Sequence, residues 1–234
     1  MHIVEFTPGT LRFIDGVPAQ APATGFIWIY LDREDLSTAL PTLQDAAARL
    51  GGSPLLDLHV RDLVNAAHPS YYDYTSVYDT VVFRRLATAE EVDAEIQDQP
   101  DALAPPALAS FYRIRTRAVG FVVFDRLLIT VHPRGCFTAR SFIARYLSDA
   151  VYSEGLNNGT SSRSRLPFSP SDLVLRMINV MVDSYLELRK QLTTEMDQWQ
   201  GELLRPGSDF RGWSALLVAR RELHVLEDLC EEQN

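Results

Sequence analysis

Five histidines (His2, His59, His68, His132 and His224) and two cysteines (Cys136 and Cys230) are the side chains of this 234-residue chain best suited to bind a transition metal or act as nucleophile and base. Their spacing supports neither chemistry. No two histidines stand four apart, Glu222-Leu223-His224 lacks the second histidine of a zinc-protease helix, and the cysteines form no Cys-x-x-Cys pair. His59 and Asp62 are three apart, so on a helix they share a face that a cation could approach; capping or a surface role is the plainer reading. The signatures GxGxxG, GxxxxGK(S/T) and GxSxG are absent too, so nothing in the sequence asks for an enzyme.

Carboxylates, by contrast, are plentiful. Thirty-one acids against 22 bases give a net charge of -9, which opposes binding to a nucleic-acid backbone and suits cations or basic partners. Residues 87–109 carry Glu90, Glu91, Asp93, Glu95, Asp98 and Asp101 among Pro100, Pro105 and Pro106, the pattern of a solvated acidic loop. Two distant cysteines suggest two plain thiols in a reducing compartment. The start, MHIVEFTPGT, has neither a basic nor an apolar signal region, and no run of about 18 apolar residues occurs, so neither a secretion signal nor a membrane span is expected within these residues.

The elements that must position these side chains change character along the chain. Phe26-Ile27-Trp28-Ile29-Tyr30-Leu31 is a continuous apolar run, as in a central strand covered on both faces. Asp32 and Asp35 offer N-caps to a helix through Leu36, Leu40, Leu43, Ala47 and Leu50, stopped by Gly51-Gly52. A short helix is expected over 55–64 with Leu55, Leu58 and Leu63 buried, followed by Tyr71-Tyr72-Asp73-Tyr74 and a strand through Val77, Val81, Val82 and Phe83. Strands are expected at 111–117, 119–124 and 127–131, and a helix over 137–151. Together these predict a mixed sheet of roughly five to seven strands flanked by helices.

From Ser169 the texture is helix alone. Ser169-Pro170-Ser171-Asp172 opens a helix to about Leu204, with Pro in the first turn and an acid at the positive end of the dipole. Its apolar residues repeat by three and four as Leu175, Ile178, Val182, Tyr185, Leu192, Met196, Trp199 and Leu203, broken only by Arg189. A parallel set at Val174, Met177, Met181, Ser184 and Leu188 widens that face over the first half, so this end is expected to pack on the sheet and the later turns to meet another helix. A second helix carries Leu216, Ala219, Leu223, Leu226 and Cys230 to Asn234; Glu227, Asp228, Glu231 and Glu232 stand where a helix C-terminus disfavours them, so the chain reads as cut inside a helix. The expected organisation is α/β (α+β): an α/β domain over 1–168, then a long antiparallel helical arm over 169–234.

Three segments resemble one family. Leu58-His59-Val60-Arg61-Asp62-Leu63-Val64 with His68-Pro69 and the tyrosine cluster is similar to a helix and a Tyr-Asp-Asp-Tyr stretch of the CorA-type metal-ion transporters. Phe124 to His132, ending Leu-Ile-Thr-Val-His, resembles that family's strand turn, and Val182-Asp183-Ser184-Tyr185 its Val-Asp-Asp-Tyr helix. The resemblance spans roughly residues 25 to 234 in family order. It implies the cytosolic regulatory domain of a divalent-cation channel, whose stalk, two membrane helices and Gly-Met-Asn filter would follow Asn234, at the cytoplasmic face of the inner membrane of a bacterial cell. It also implies a homopentamer in the full-length protein and regulation by Mg²⁺, with Co²⁺ or Zn²⁺ (as in ZntB-like members) as other ions. Asp62 matches an acid of the family's Glu-Asp pair, with Arg61 in place of the glutamate. Asp183 matches the first acid of Val-Asp-Asp-Tyr, with Ser184 in place of the second. These two are the expected metal ligands, and no organic cofactor is expected. The alternative is a freestanding soluble protein whose helical arm binds a partner helix.

Overall fold

The computed structural model describes residues 1–88, 91–92, 110–111, 114–136, 141–144, 146, 166–205 and 213–233. Seven strands, β1 (His2–Thr7), β2 (Thr10–Ile14), β3 (Phe26–Asp32), β4 (Tyr71–Tyr74), β5 (Asp79–Leu86), β6 (Thr116–Val123) and β7 (Leu127–His132), form one sheet in the order β2-β1-β3-β7-β6-β5-β4. β3 and β7 pair in parallel, whereas β1 with β2, β1 with β3, β6 with β7 and β4 with β5 are antiparallel. The helices are α1 (Leu36–Ala46), continued by a wider turn over Ala47–Gly51, then α2 (Asp57–Val64), α3 (Pro170–Leu203) and α4 (Trp213–Glu232).

The apolar run of β3 is interior, as its composition requires. Its alternate residues Ile27, Ile29 and Leu31 form one core cluster with Leu36, Leu43 and Ala46 of α1 and Leu63 of α2. Each fully buried aliphatic side chain there contributes about 2 kcal/mol of transfer free energy. On the opposite face Phe26 stacks on Phe6 of β1 at 4.7 Å, and the buried Trp28 Nε1 donates to Thr130 Oγ1 at 2.9 Å, so the indole N–H keeps a partner out of water. Gly25 enters β3 at φ +110°, and a Cβ there would lie 1.9 Å from the Phe6 carbonyl oxygen, so only glycine fits. The β1–β2 hairpin, turned by Pro8-Gly9, lies in a segment whose sequence had suggested only what it is not.

Several expectations are corrected by helix and strand phase. Neither Asp32 nor Asp35 caps a helix with its side chain. Gly51-Gly52 does stop α1, with Gly52 left-handed at φ +90°. On α2 the buried residues are His59 and Leu63, in line with Leu55 just before the helix, while Leu58, one residue behind that line, is 59% exposed. Tyr71-Tyr72-Asp73-Tyr74 is itself a strand, and β6 runs unbroken from Thr116 to Val123 across the break expected at residue 118, while residues 112–113 lie outside the described residues. Of the helix expected over 137–151, residues 141–144 and 146 are helical and the rest lies outside the described residues. Most of the acidic stretch 87–109 also lies outside them.

The chain divides into two compact units, Met1–Phe83 with Ala118–Ile178 and Arg84–Arg117 with Asn179–Asn234. The second has its own core of Leu86, Phe111, Ile114, Leu188, Leu192 and Ala219, with Phe111 stacked on Trp199 at 5.4 Å. The Tyr185 hydroxyl and the Gln233 amide both donate to the Arg84 carbonyl, at 2.5 and 2.8 Å, and Ser110 Oγ donates to Glu195 Oε1 at 2.6 Å. Within α3 the buried line is Val174, Met177, Met181, Leu188 and Leu192, whereas Leu175, Val182 and Met196 are exposed. The parallel set, not the heptad seam, therefore supplies the buried stripe of its first turns. In the later turns the seam takes over as expected, with Tyr185, Leu192 and Trp199 in one core with Ala219, Leu223 and Leu226 of α4; the two lines lie about 100° apart on a 3.6-residue period, and packing chooses between them.

Candidate cation-responsive surface

α2 presents two carboxylate–imidazole pairs to the start of β4. In the first, His59 is buried on the inner face of α2 and its Nε2 lies 3.1 Å from Asp73 Oδ2 on β4. Its Nδ1 lies 2.9 Å from the Tyr78 hydroxyl, which itself accepts the Leu56 N–H at 2.9 Å. The proton positions follow from this accounting. The Asp73 carboxylate only accepts, so His59 Nε2 carries a hydrogen and donates it there, and in the tautomer that leaves Nδ1 without a hydrogen the Tyr78 phenol donates to Nδ1. The bond from His59, with the Tyr74 N–H, holds the Asp73 carboxyl below its ordinary value, while burial pushes the Tyr78 phenol up.

In the second pair, Asp62 Oδ1 lies 3.3 Å from Nε2 of His68, just beyond the C-terminus of α2, and both side chains are partly buried. Tyr71 stands between the pairs: its ring lies 5.6 Å from that of His68, and desolvation, a hydrogen bond to Asp73 and the charge of Asp62 together raise its phenol. His59 and Asp62 thus do not converge on one cation despite their spacing, because His59 turns inward to the sheet while Asp62 meets His68. Asp183 is exposed on α3 in the other unit. Among the described residues no three His, Cys, Asp or Glu side chains converge into a ready-made metal site.

Other candidates from the sequence have structural partners. His132 is buried in β7 with Nε2 2.8 Å from Thr130 Oγ1, and His224 pairs with Glu227 on the exposed side of α4. Neither Cys136 nor Cys230 is in a disulfide. Sequence reasoning missed Asp73 and Tyr78 as partners of His59. The signal was available in the two-residue alternation of Tyr71-Tyr72-Asp73-Tyr74, which turns Asp73 and Tyr71 to the face opposite Tyr72 and Tyr74.

No family model and no curated protein matches the chain. Solved structures do. The full-length CmaX protein is similar over 100% of this chain and 60% of its own length, with a TM-score of 0.65 at 16% identity. The cytoplasmic domain of ZntB from Vibrio parahaemolyticus matches over 100% of this chain and 75% of that one, at TM-score 0.58 and 12% identity. The soluble domain of CorA from Methanocaldococcus jannaschii matches over 99% and 75%, at TM-score 0.55 and 13% identity. The chain therefore spans about three fifths of the full-length CmaX protein, and among its described residues no helix is long and apolar enough to cross a membrane. From sheet order to the long α3, this chain has the fold of the cytoplasmic domains of CorA-type metal-ion transporters.

Proposed function

We propose that this chain is the cytoplasmic regulatory domain of a divalent-cation transporter, regulated by cations bound at Asp62 and, separately, at Asp183. The observation that carries this reading is the match over essentially the whole chain to the cytoplasmic domain of ZntB and to CorA, a magnesium transporter. The charge of -9 supplies the attraction for a cation. Mg²⁺ retains several waters and needs only one or two carboxylates, so Asp62 and Asp183 are each chemically sufficient as partial ligands at a seam between copies of the domain. The full-length protein would be a homo-oligomer, pentameric as the family resemblance implies, at the cytoplasmic face of the cell membrane.

A specific observation favours a second reading, with Zn²⁺ or Co²⁺ as the ion. Asp62 stands within 3.3 Å of the His68 imidazole, and an imidazole–carboxylate pair suits these ions better than Mg²⁺. The test is the melting temperature of the chain against each chloride. A ligand bound only by the native state at ten times its Kd adds about 1.4 kcal/mol, a rise of roughly 3–5 °C for a chain of this size. A rise with Mg²⁺ that Asp62→Asn or Asp183→Asn reduces supports the first reading, and a rise with Zn²⁺ alone that His68→Ala abolishes supports the second. No rise with any of the three ions up to tens of millimolar contradicts both.

A further inference from the structure

β4 closes one end of the sheet order, and its two faces are used differently. Tyr71 and Asp73 face the partners on α2. Tyr72 and Tyr74 point the other way, with ring centroids 6.1 Å apart and planes only 25° from parallel, and they are 59% and 70% exposed. Asp79 of β5 stands directly opposite Tyr74 in the register, and its Oδ1 accepts the Tyr72 hydroxyl at 3.3 Å. Two aromatic faces and a carboxylate thus share one open patch of sheet, in a chain whose net charge is -9.

From this juxtaposition we propose that Tyr72, Tyr74 and Asp79 form a docking site for an arginine side chain presented by a partner protein. A guanidinium is planar, so it stacks on a phenol face while its edge N–H groups reach a carboxylate, and it sheds water more readily than an ammonium. Asp79 gives the charge-assisted hydrogen bonds, and the tyrosine pair gives the stacking surface. The strand edge argues for side-chain capture rather than for an added strand. The Tyr74 N–H already donates to Asp73 Oδ1 at 2.8 Å, and an incoming strand would have to break that bond. This site is independent of the cation reading, which uses Asp62, His68 and Asp183 and no residue of this patch.

The probe is the tripeptide acetyl-Gly-Arg-Gly-amide, titrated into the full chain while the tyrosine ring signals are followed by NMR, with lysine and citrulline versions in parallel. The arginine peptide saturates the Tyr72 and Tyr74 shifts, the uncharged citrulline peptide binds about tenfold more weakly or less, and added salt weakens the arginine peptide. Tyr74→Ser weakens it by about threefold and Asp79→Asn by more, with the melting temperature unchanged because both side chains are exposed. Equal binding of the arginine and citrulline peptides overturns the proposal, as does unchanged affinity in both variants. Self-association of the free chain that both variants abolish and the arginine peptide does not compete with also overturns it, since the face then serves a second copy.

Discussion

Replacing Tyr78 by phenylalanine removes one oxygen from a position where two groups depend on it. The ring keeps its packing 4.9 Å from Phe124, so the change is confined to hydrogen bonds. The Leu56 N–H loses its acceptor and His59 Nδ1 loses its donor, both bonds being 2.9 Å long in the parent. Thr80 Oγ1, 3.4 Å from the same nitrogen, recovers part of the second bond. Two lost bonds of ordinary strength, with a buried imidazole nitrogen left poorly satisfied, cost about 2–3 kcal/mol. At a slope of roughly 2–3 kcal/mol per molar urea, the unfolding midpoint falls by about 1 M. Tyr72→Phe is the control, because its hydroxyl is exposed and its bond to Asp79 is long; it shifts stability by less than about 0.5 kcal/mol. Equal costs for the two substitutions, or a Tyr78→Phe midpoint within 0.2 M of the parent, would refute the hydrogen bonding assigned to the Tyr78 hydroxyl.

Three further outcomes follow from the same geometry. The Asp73 carboxyl is held low by His59 and by the Tyr74 N–H, so its stabilisation is complete above the unfolded carboxylate value of about 3.9 and is lost as pH falls through the lower folded value. Urea midpoints measured across the acid range fall less steeply with decreasing pH in Asp73→Asn than in the parent. Gly25→Ala places a methyl against the Phe6 carbonyl in a left-handed backbone and costs more than about 3 kcal/mol, read as loss of soluble protein or a collapse of the melting temperature. On α3, Leu188→Ala costs about 2–4 kcal/mol in urea unfolding and Leu175→Ala under about 0.5, because only Leu188 is buried.

Long, strongly patterned segments were legible in the sequence. The run Phe26 to Leu31 could only be an interior strand, and Ser169-Pro170-Ser171-Asp172 marked the start of α3 to the residue. Pattern failed where two phases fit equally well. On α2 the sequence placed Leu58 inward and His59 at the surface, and the hydrogen-bond partners Asp73 and Tyr78 reversed that assignment. On α3, Leu175 and Val174 competed in the same way, and the burial of Met177 and Met181 decided for Val174. The hairpin over His2–Ile14 was missed because five- and six-residue strands with polar alternation carry little signal without their neighbours. For the site, sequence named Asp62 and His59 as one pair three residues apart. Partners that are distant in sequence or beyond the helix end, Asp73 and His68, split them into two.

The most direct test of the account is calorimetric titration of Mg²⁺ and Zn²⁺ into the intact chain and into its Asp62→Asn variant. The account predicts a saturable heat for at least one of the two ions, weakened about tenfold or more when the Asp62 charge is removed. No saturable heat for either ion, or binding that ignores the loss of Asp62, would contradict the claim that this fold is here a cation-responsive domain.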